Sequence, residues 1–189
     1  IMNDQMISRG PDSEGYLIEN NFGMAMRRLS IIDIDKSNQP ISNENQNISI
    51  IFNGEIYNFI EIKQQLLGDN VYFKTNGDTE VILRLYEKFG EKFISKLIGM
   101  FSICIFDKSK QKILIYRDRF GIKPLYYYYN KNSFYFASSL FSLKKVLKLK
   151  KSKDAFFLYL CLNYFPSKTS VFEDIYSLLP GEYISIKDN

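Results

Sequence analysis

The sequence contains no histidine. That absence removes Ser/His/Asp and Cys/His triads, histidine-ligated zinc sites and histidine general bases from the mechanisms open to the chain. Cysteine is nearly as scarce. Cys104 and Cys161 lie far apart and make neither a CxxC pair nor a disulfide framework, so a reducing, cytoplasmic setting is expected. Both read as packing residues rather than nucleophiles: Cys104 alternates with Ile103 and Ile105, and Cys161 lies among Leu160, Leu162 and Tyr164. A long apolar run is missing too. The longest, 98–106, is about half the roughly 20 residues that span a bilayer, and Gly99, Ser102 and Cys104 interrupt it, so no membrane partner is expected.

Arginine occurs at six positions against a background rich in lysine. All but one of Arg9, Arg27, Arg28, Arg84, Arg117 and Arg119 fall in motif-like segments, as expected where a planar two-pronged donor is needed. The rest of the composition, 189 residues with 46% apolar and 24% charged, is that of one globular domain with a sizeable core. The net charge of +4 comes mainly from lysine. The densest lysine run, SLKKVLKLKKSK at 142–153, lacks interleaved aromatics, so it reads as a solvated helix face or connector and no nucleic-acid partner is expected. The chain opens on Ile1 without a targeting pattern and stops at Asn189, just after the strand-like 182–186, where a hairpin turn is expected; both ends read as cut.

β-rich and alternating runs predict strands over 23–34, 48–53, 71–74, 100–106, 112–117, 125–129 and 134–137. Polar turns at 107–110 and 130–132 make much of the sheet antiparallel hairpin. Two helices are predicted over about 57–67 and 79–89. Asp78 is the expected N-cap of the second, and Val81, Ile82, Leu85, Tyr86 and Phe89 are its apolar face. A further helix-like stretch covers 155–164. The pattern implies sheets packed together and covered by helix layers.

Several segments could carry chemistry. Phe52-Asn53-Gly54-Glu55 follows a β-rich run and precedes a helix. It reads either as a strand-to-helix turn or as an oxyanion hole, in which the Asn53 amide and the Gly54 N–H converge on one spot. In Met26-Arg27-Arg28-Leu29-Ser30-Ile31-Ile32-Asp33 one arginine must face the core side of a strand and needs an anionic partner, from the protein or from a ligand. Gly77-Asp78-Thr79-Glu80 reads first as a helix cap. Arg9-Gly10-Pro11-Asp12 and the charged segment 117–125 read first as turns.

Taken together and in order, RGPD, RRLSIID, NGEIYN, GDTEVIL and RDRFGIKPLYY resemble the class II glutamine amidotransferases, in the form carried by glutamine-hydrolysing asparagine synthetases. The resemblance runs over about 6–181. It implies an α+β fold, the N-terminal-nucleophile hydrolase αββα sandwich with two antiparallel sheets between helix layers. It makes 1–189 one amidotransferase domain, with about 144–189 connecting toward an ATP-dependent synthetase domain outside the chain. By motif position it makes Asn53 and Gly54 the oxyanion hole and Arg28 the clamp for the glutamine α-carboxylate. Glu55 and Asp78 would hold the α-ammonium, and Leu29, Ser30, Ile31 and Ile32 would line a strand edge beside the substrate.

The nucleophile implied is an N-terminal cysteine whose α-amine acts as base, a mechanism that a histidine-free chain can run. It is absent from this chain and expected roughly 24 to 30 residues upstream of Ile1. The chain as given is therefore expected to be inactive. Glutamine and the synthetase domain of the same polypeptide are the expected partners, and a homodimer is compatible with the resemblance. No metal and no cofactor are expected in this domain, ATP and magnesium belonging to the synthetase part. Ser8 and Met26 stand where the family usually has histidine, and Ser139 where it usually has glutamate. The competing readings are a paralogue that amidates another carboxylate and a non-catalytic glutamine-binding module.

Overall fold

The computed structural model describes residues 1–34 and 36–187. Its centre is a five-stranded antiparallel sheet in the order β10-β6-β5-β4-β3, built from β3 (Ile41–Ser42), β4 (Ile48–Ile56), β5 (Gly99–Asp107), β6 (Lys112–Arg117) and β10 (Tyr183–Lys187). Alternation assigns the two faces. Ile50, Phe52 and Ile56 of β4 and Ile103 and Ile105 of β5 face α1 (Phe59–Gly68) and α2 (Asp78–Phe89). Ile51, Cys104 and Ile115 face the other way. α1 contributes Ile62 and Leu66, one turn apart, and α2 contributes Val81, Ile82, Leu85 and Tyr86. Each such side chain, fully buried, stabilises the fold by about 1.5–3 kcal/mol.

The opposite face carries the second layer, which is in two pieces. One is the hairpin of β1 (Ser13–Glu19) and β2 (Phe22–Arg28). The other is a three-stranded antiparallel sheet, in the order β8-β7-β9, of β7 (Tyr126–Tyr129), β8 (Phe134–Ala137) and β9 (Ile175–Ser177). α3 (Leu140–Val146) packs against β8 and against the short 3-10 turn Asn3–Met6. The αββα arrangement expected from the sequence is therefore found, with two antiparallel layers and helices outside both.

Several boundaries differ from expectation. The run predicted as a strand over 23–34 leaves the sheet after Arg28, and 29–34 form a loop. Val71 to Lys74 joins no sheet: the Glu80 carboxylate accepts from the N–H groups of Lys74 (3.0 Å) and Thr75 (2.6 Å), which takes the place of a strand ladder there. β4 runs three residues past Asn53, so the NGE segment ends a strand instead of forming a turn. Gly77, not Asp78, is the N-cap of α2. Phe89, expected on the buried face of α2, is partly exposed, with the ammonium groups of Lys88 and Lys96 over its ring. The turn expected after the last strand falls on 188–189, outside the described residues.

Candidate active site

A cleft of about 1350 Å3 opens between the two pieces of the second layer. Ile51, Ser102, Cys104 and Ile115 of the five-stranded sheet form its floor. Met24 and Met26 of β2 flank one side and Phe134 and Phe136 of β8 the other. Cys104 lies in this apolar floor, where burial pushes its thiol above the ordinary range and disfavours the thiolate that attack would need. Cys161 is exposed, on α4 (Lys153–Leu162), so the expectation that it packs in the core is not met.

β4 reaches this cleft through Ile51, Phe52 and Asn53, and its edge continues beyond it. β3 covers β4 at Ile50 and ends there. Beyond it the Gln39 side chain substitutes for a strand, accepting from the Phe52 N–H at 2.6 Å and donating to the Phe52 carbonyl at 3.0 Å. Farther along, the Ile56 N–H leaves β4 on the same edge and donates to Asp78 Oδ2 at 3.2 Å. Because N–H groups alternate sides along a strand, the Gly54 N–H between them faces this edge as well. Asn53, one residue earlier, lines the cleft. Gly54 itself is required for packing: a Cβ there would lie 2.0 Å from the Met100 carbonyl oxygen of β5. The glycine thus reflects close approach of two strands, where the sequence suggests a turn or access for a ligand.

Asp78 and Glu55 come together at the far end of this edge. Burial raises the Asp78 carboxyl above its ordinary range, three backbone N–H donors oppose this, and the like charge of Glu55 adds to the rise.

Arg28 is buried (7% exposed) at the end of β2. Its Nη2 donates to the carbonyls of Ile32 at 2.7 Å and Asp33 at 3.0 Å, and its Nη1 to that of Ile34 at 3.0 Å and to Asn38 Oδ1 at 3.4 Å. Arg27 takes the other face and pairs with Glu14 at 2.7 Å. Hence Leu29, Ser30, Ile31 and Ile32 do not line a strand edge. They belong to a loop folded round the Arg28 guanidinium, because that side chain supplies the hydrogen bonds that a strand partner would otherwise give. Asp12 of the RGPD segment holds the loop from outside, its Oδ2 accepting the Ser30 N–H at 2.7 Å. Asp33 Oδ2 joins the loop to the start of the GDTE segment by accepting the Asn76 N–H at 2.6 Å.

The segment after β6, read first as a surface turn, is a clasp closed round one buried carboxylate, Asp118. Asp118 accepts from the N–H groups of Phe101, Phe120, Ile122 and Lys123 at 3.0 to 3.3 Å. Arg117 donates to the carbonyls of Lys123, Gly121 and Leu178 and to Ser177 Oγ. Gly121 turns this loop with φ +66, in the left-handed region. Ser139 caps α3 by accepting the Phe141 N–H at 3.3 Å, and Met26 lines the cleft. The roles of Glu80, Gln39 and Asp118 leave almost no signal in the sequence; only the charge density around Asp118, set between apolar strands, hints at one.

Among the described residues no group of three or more His, Cys, Asp or Glu side chains is placed to hold a metal ion. Among them, too, no helix is long and apolar enough to cross a membrane.

A family model of a glutamine amidotransferase domain matches residues 1–189. The chain is 39% identical over 187 residues to glutamine-hydrolyzing asparagine synthetase 1 of Bacillus subtilis (strain 168), an overlap of 98% of this chain and 30% of that protein. With glutamine-hydrolyzing asparagine synthetase 2 of the same organism it shares 50% identity over 142 residues, 75% of this chain and 19% of the relative. It spans less than a third of the length of either. Among solved structures, the allosteric regulatory enzyme of purine biosynthesis aligns with a TM-score of 0.63 at 19% identity, over 88% of this chain and 33% of that one, a likeness of fold.

Proposed function

The chain belongs to the glutamine amidotransferase domain family, and on that premise we propose that it is the glutamine-hydrolysing part of an asparagine synthetase-type enzyme. It releases ammonia from glutamine for the ATP-dependent amidation of aspartate elsewhere in the same polypeptide. What supports this reading is that Asn53, the Gly54 N–H, Glu55 and Asp78 lie along one edge of β4; Arg28, its guanidinium bonded to its own loop, enters the reading by its motif position. A glutamine has complementary groups: an amide carbonyl that becomes an oxyanion, an α-ammonium and an α-carboxylate.

The nucleophile in this reading is a cysteine at the head of a strand that precedes Ile1. Its thiolate attacks the side-chain amide carbon of glutamine. The oxyanion that forms is held by the Asn53 amide and the Gly54 N–H, and collapse to the thioester expels ammonia, protonated through the cysteine α-amine. Water then hydrolyses the thioester to glutamate. An α-amine, which ordinarily titrates at about 7.7–8.0, is well matched to that proton traffic near neutral pH. The cleft supports the placement. β2 and β8 are edge strands on its two sides, over an apolar floor. A strand laid between them would satisfy both edges, cover Ile51, Cys104 and Ile115, and join the two pieces of the second layer into one sheet. ATP and magnesium belong to the synthetase part, and the glutaminase chemistry uses no cofactor of its own.

Arg28→Lys tests the substrate contact in the whole protein. A lysine cannot hold a carboxylate by two parallel bonds, nor span the three loop carbonyls that the guanidinium now holds. The glutamine KM is expected to rise by at least about tenfold while ammonia-dependent synthesis stays within about twofold of the parent. An unchanged glutamine KM would remove Arg28 from the site.

A further inference from the structure

α4 is a helix that the body of the domain does not hold. Ser152 caps it, its Oγ accepting the Ala155 N–H at 3.1 Å, and Asn163 ends it in the left-handed conformation. Its sequence KDAFFLYLCL is apolar almost throughout, yet among its described residues only Ala155 is buried. Phe157 is 65% exposed and Leu160 63%, and Phe156 and Tyr164 are exposed beside them. An isolated helix of about ten residues is marginal in water, because helices of this length owe their stability to an apolar face packed on something else. Burial of one alanine and the stacking of Tyr159 on Phe165 do not supply that. Contiguous apolar surface of this kind marks an interaction site.

Charge selects the occupant. Lys148, Lys150, Lys151 and Lys153 lead directly into the helix, and Lys144 and Lys145 end α3 just before them. Of these, Lys150 has an acidic partner, Glu173 at 3.0 Å. A second copy brings the same excess of lysine to the interface and so adds like charge to like. A partner with an acidic rim meets no such penalty. The two Bacillus subtilis relatives named above carry more than two thirds of their length outside the matched region.

We propose that the apolar face of α4 is the surface on which the synthetase part of the same polypeptide docks, through an apolar groove rimmed by acidic residues. The proposal rests on the function given above. Phe157 and Leu160 enter the groove, and the lysines at 148–153 pair with its rim. Docking there fixes the glutaminase site relative to the synthetase site, so that ammonia released at one reaches the other.

The test uses the whole protein with Phe157→Glu and Leu160→Glu combined. Both side chains are exposed, so the domain's own core is untouched. Glutamine hydrolysis and ammonia-dependent synthesis are each expected to stay within about twofold of the parent, while amide product formed per glutamine hydrolysed falls at least about fivefold. Hydrogen exchange over 153–164, slow in the parent, is expected to become at least about tenfold faster in the variant, with no change in oligomeric mass by light scattering. Exchange over 153–164 as fast in the parent as in the variant overturns the docking. So does a fall in mass with coupling retained, which would mean that a second copy covers the face. Hydrogen exchange reads docking independently of catalysis: a parent with protected α4 that hydrolyses no glutamine sinks the proposed function and leaves the docking standing.

Discussion

Asp118→Ala is expected to cost about 4 kcal/mol of folding stability, a large share of the roughly 5–15 kcal/mol that keeps a single domain folded. The side chain is fully buried, and its carboxylate is the shared acceptor of four backbone N–H groups that come from the start of β5 and from the loop after β6. The Asp118 backbone adds to the knot, its carbonyl accepting from Gly121 at 3.1 Å and Gly181 at 2.9 Å. Alanine removes the acceptor and leaves the donors facing a space too small to hydrate them all. Asn keeps one oxygen and is expected to cost about half as much. The same geometry sets an acid dependence. Burial pushes the Asp118 carboxyl up, but the donor cluster outweighs it and holds the group below its ordinary range. A carboxyl whose folded pKa is depressed gives stability that is fully present above the unfolded value of about 3.9 and is lost as pH falls through the folded pKa. Urea unfolding of Asp118→Asn at a series of pH values should therefore show a shallower loss below about pH 4 than the parent. A midpoint in Asp118→Ala equal to the parent's would mean that the clasp contributes nothing.

Asn53→Ala should leave the fold intact and lower the glutaminase kcat by about two to three orders of magnitude, as expected for one oxyanion donor of two. Asn53 is half-buried, points to the cleft side of β4 and belongs to neither apolar cluster, so its truncation removes little packing. The Gly54 N–H, fixed by the β4 backbone, remains as the second donor and accounts for the residual rate. KM is expected to change less than about threefold, because the ground-state amide gains less from the donor than the oxyanion does. Steady-state ammonia release from glutamine, with thermal unfolding recorded on the same samples, checks both parts. A kcat within about threefold of the parent in a folded variant would make Asn53 a strand residue with no part in the chemistry.

How far the sequence reveals this depends on which physical signal a segment carries. β6 and β8 are legible to the residue, because Lys112–Arg117 and Phe134–Ala137 are β-rich runs bounded by polar turns. β3, two residues long, and β9, three, are too short to show a period. β1 alternates as Glu-Gly-Tyr-Leu-Ile-Glu, but its glycine weakens the pattern. The errors of extent share one cause, side chains that replace backbone partners. Arg28 satisfies the carbonyls at 32–34 and so ends β2 early, Glu80 satisfies the N–H groups at 74–75 and removes a strand, and Gln39 stands in for β3 beside Phe52. No periodicity reports such long-range substitutions. Gly54 misleads for the same reason: the constraint on it comes from Met100, far along the chain. The candidate site residues themselves come from the five ordered motifs. The structure brings Asn53, Gly54, Glu55 and Asp78 to one edge and shows Arg28 already engaged with its loop.

The most direct measurement of the central claim is ammonia release from glutamine by two forms assayed side by side: this chain, and the same chain extended by its own upstream segment beginning at the cysteine. The account predicts hydrolysis by the extended form, its loss when that cysteine is changed to alanine with the fold retained, and no hydrolysis above background by residues 1–189. Hydrolysis by residues 1–189 at the extended form's rate would contradict it.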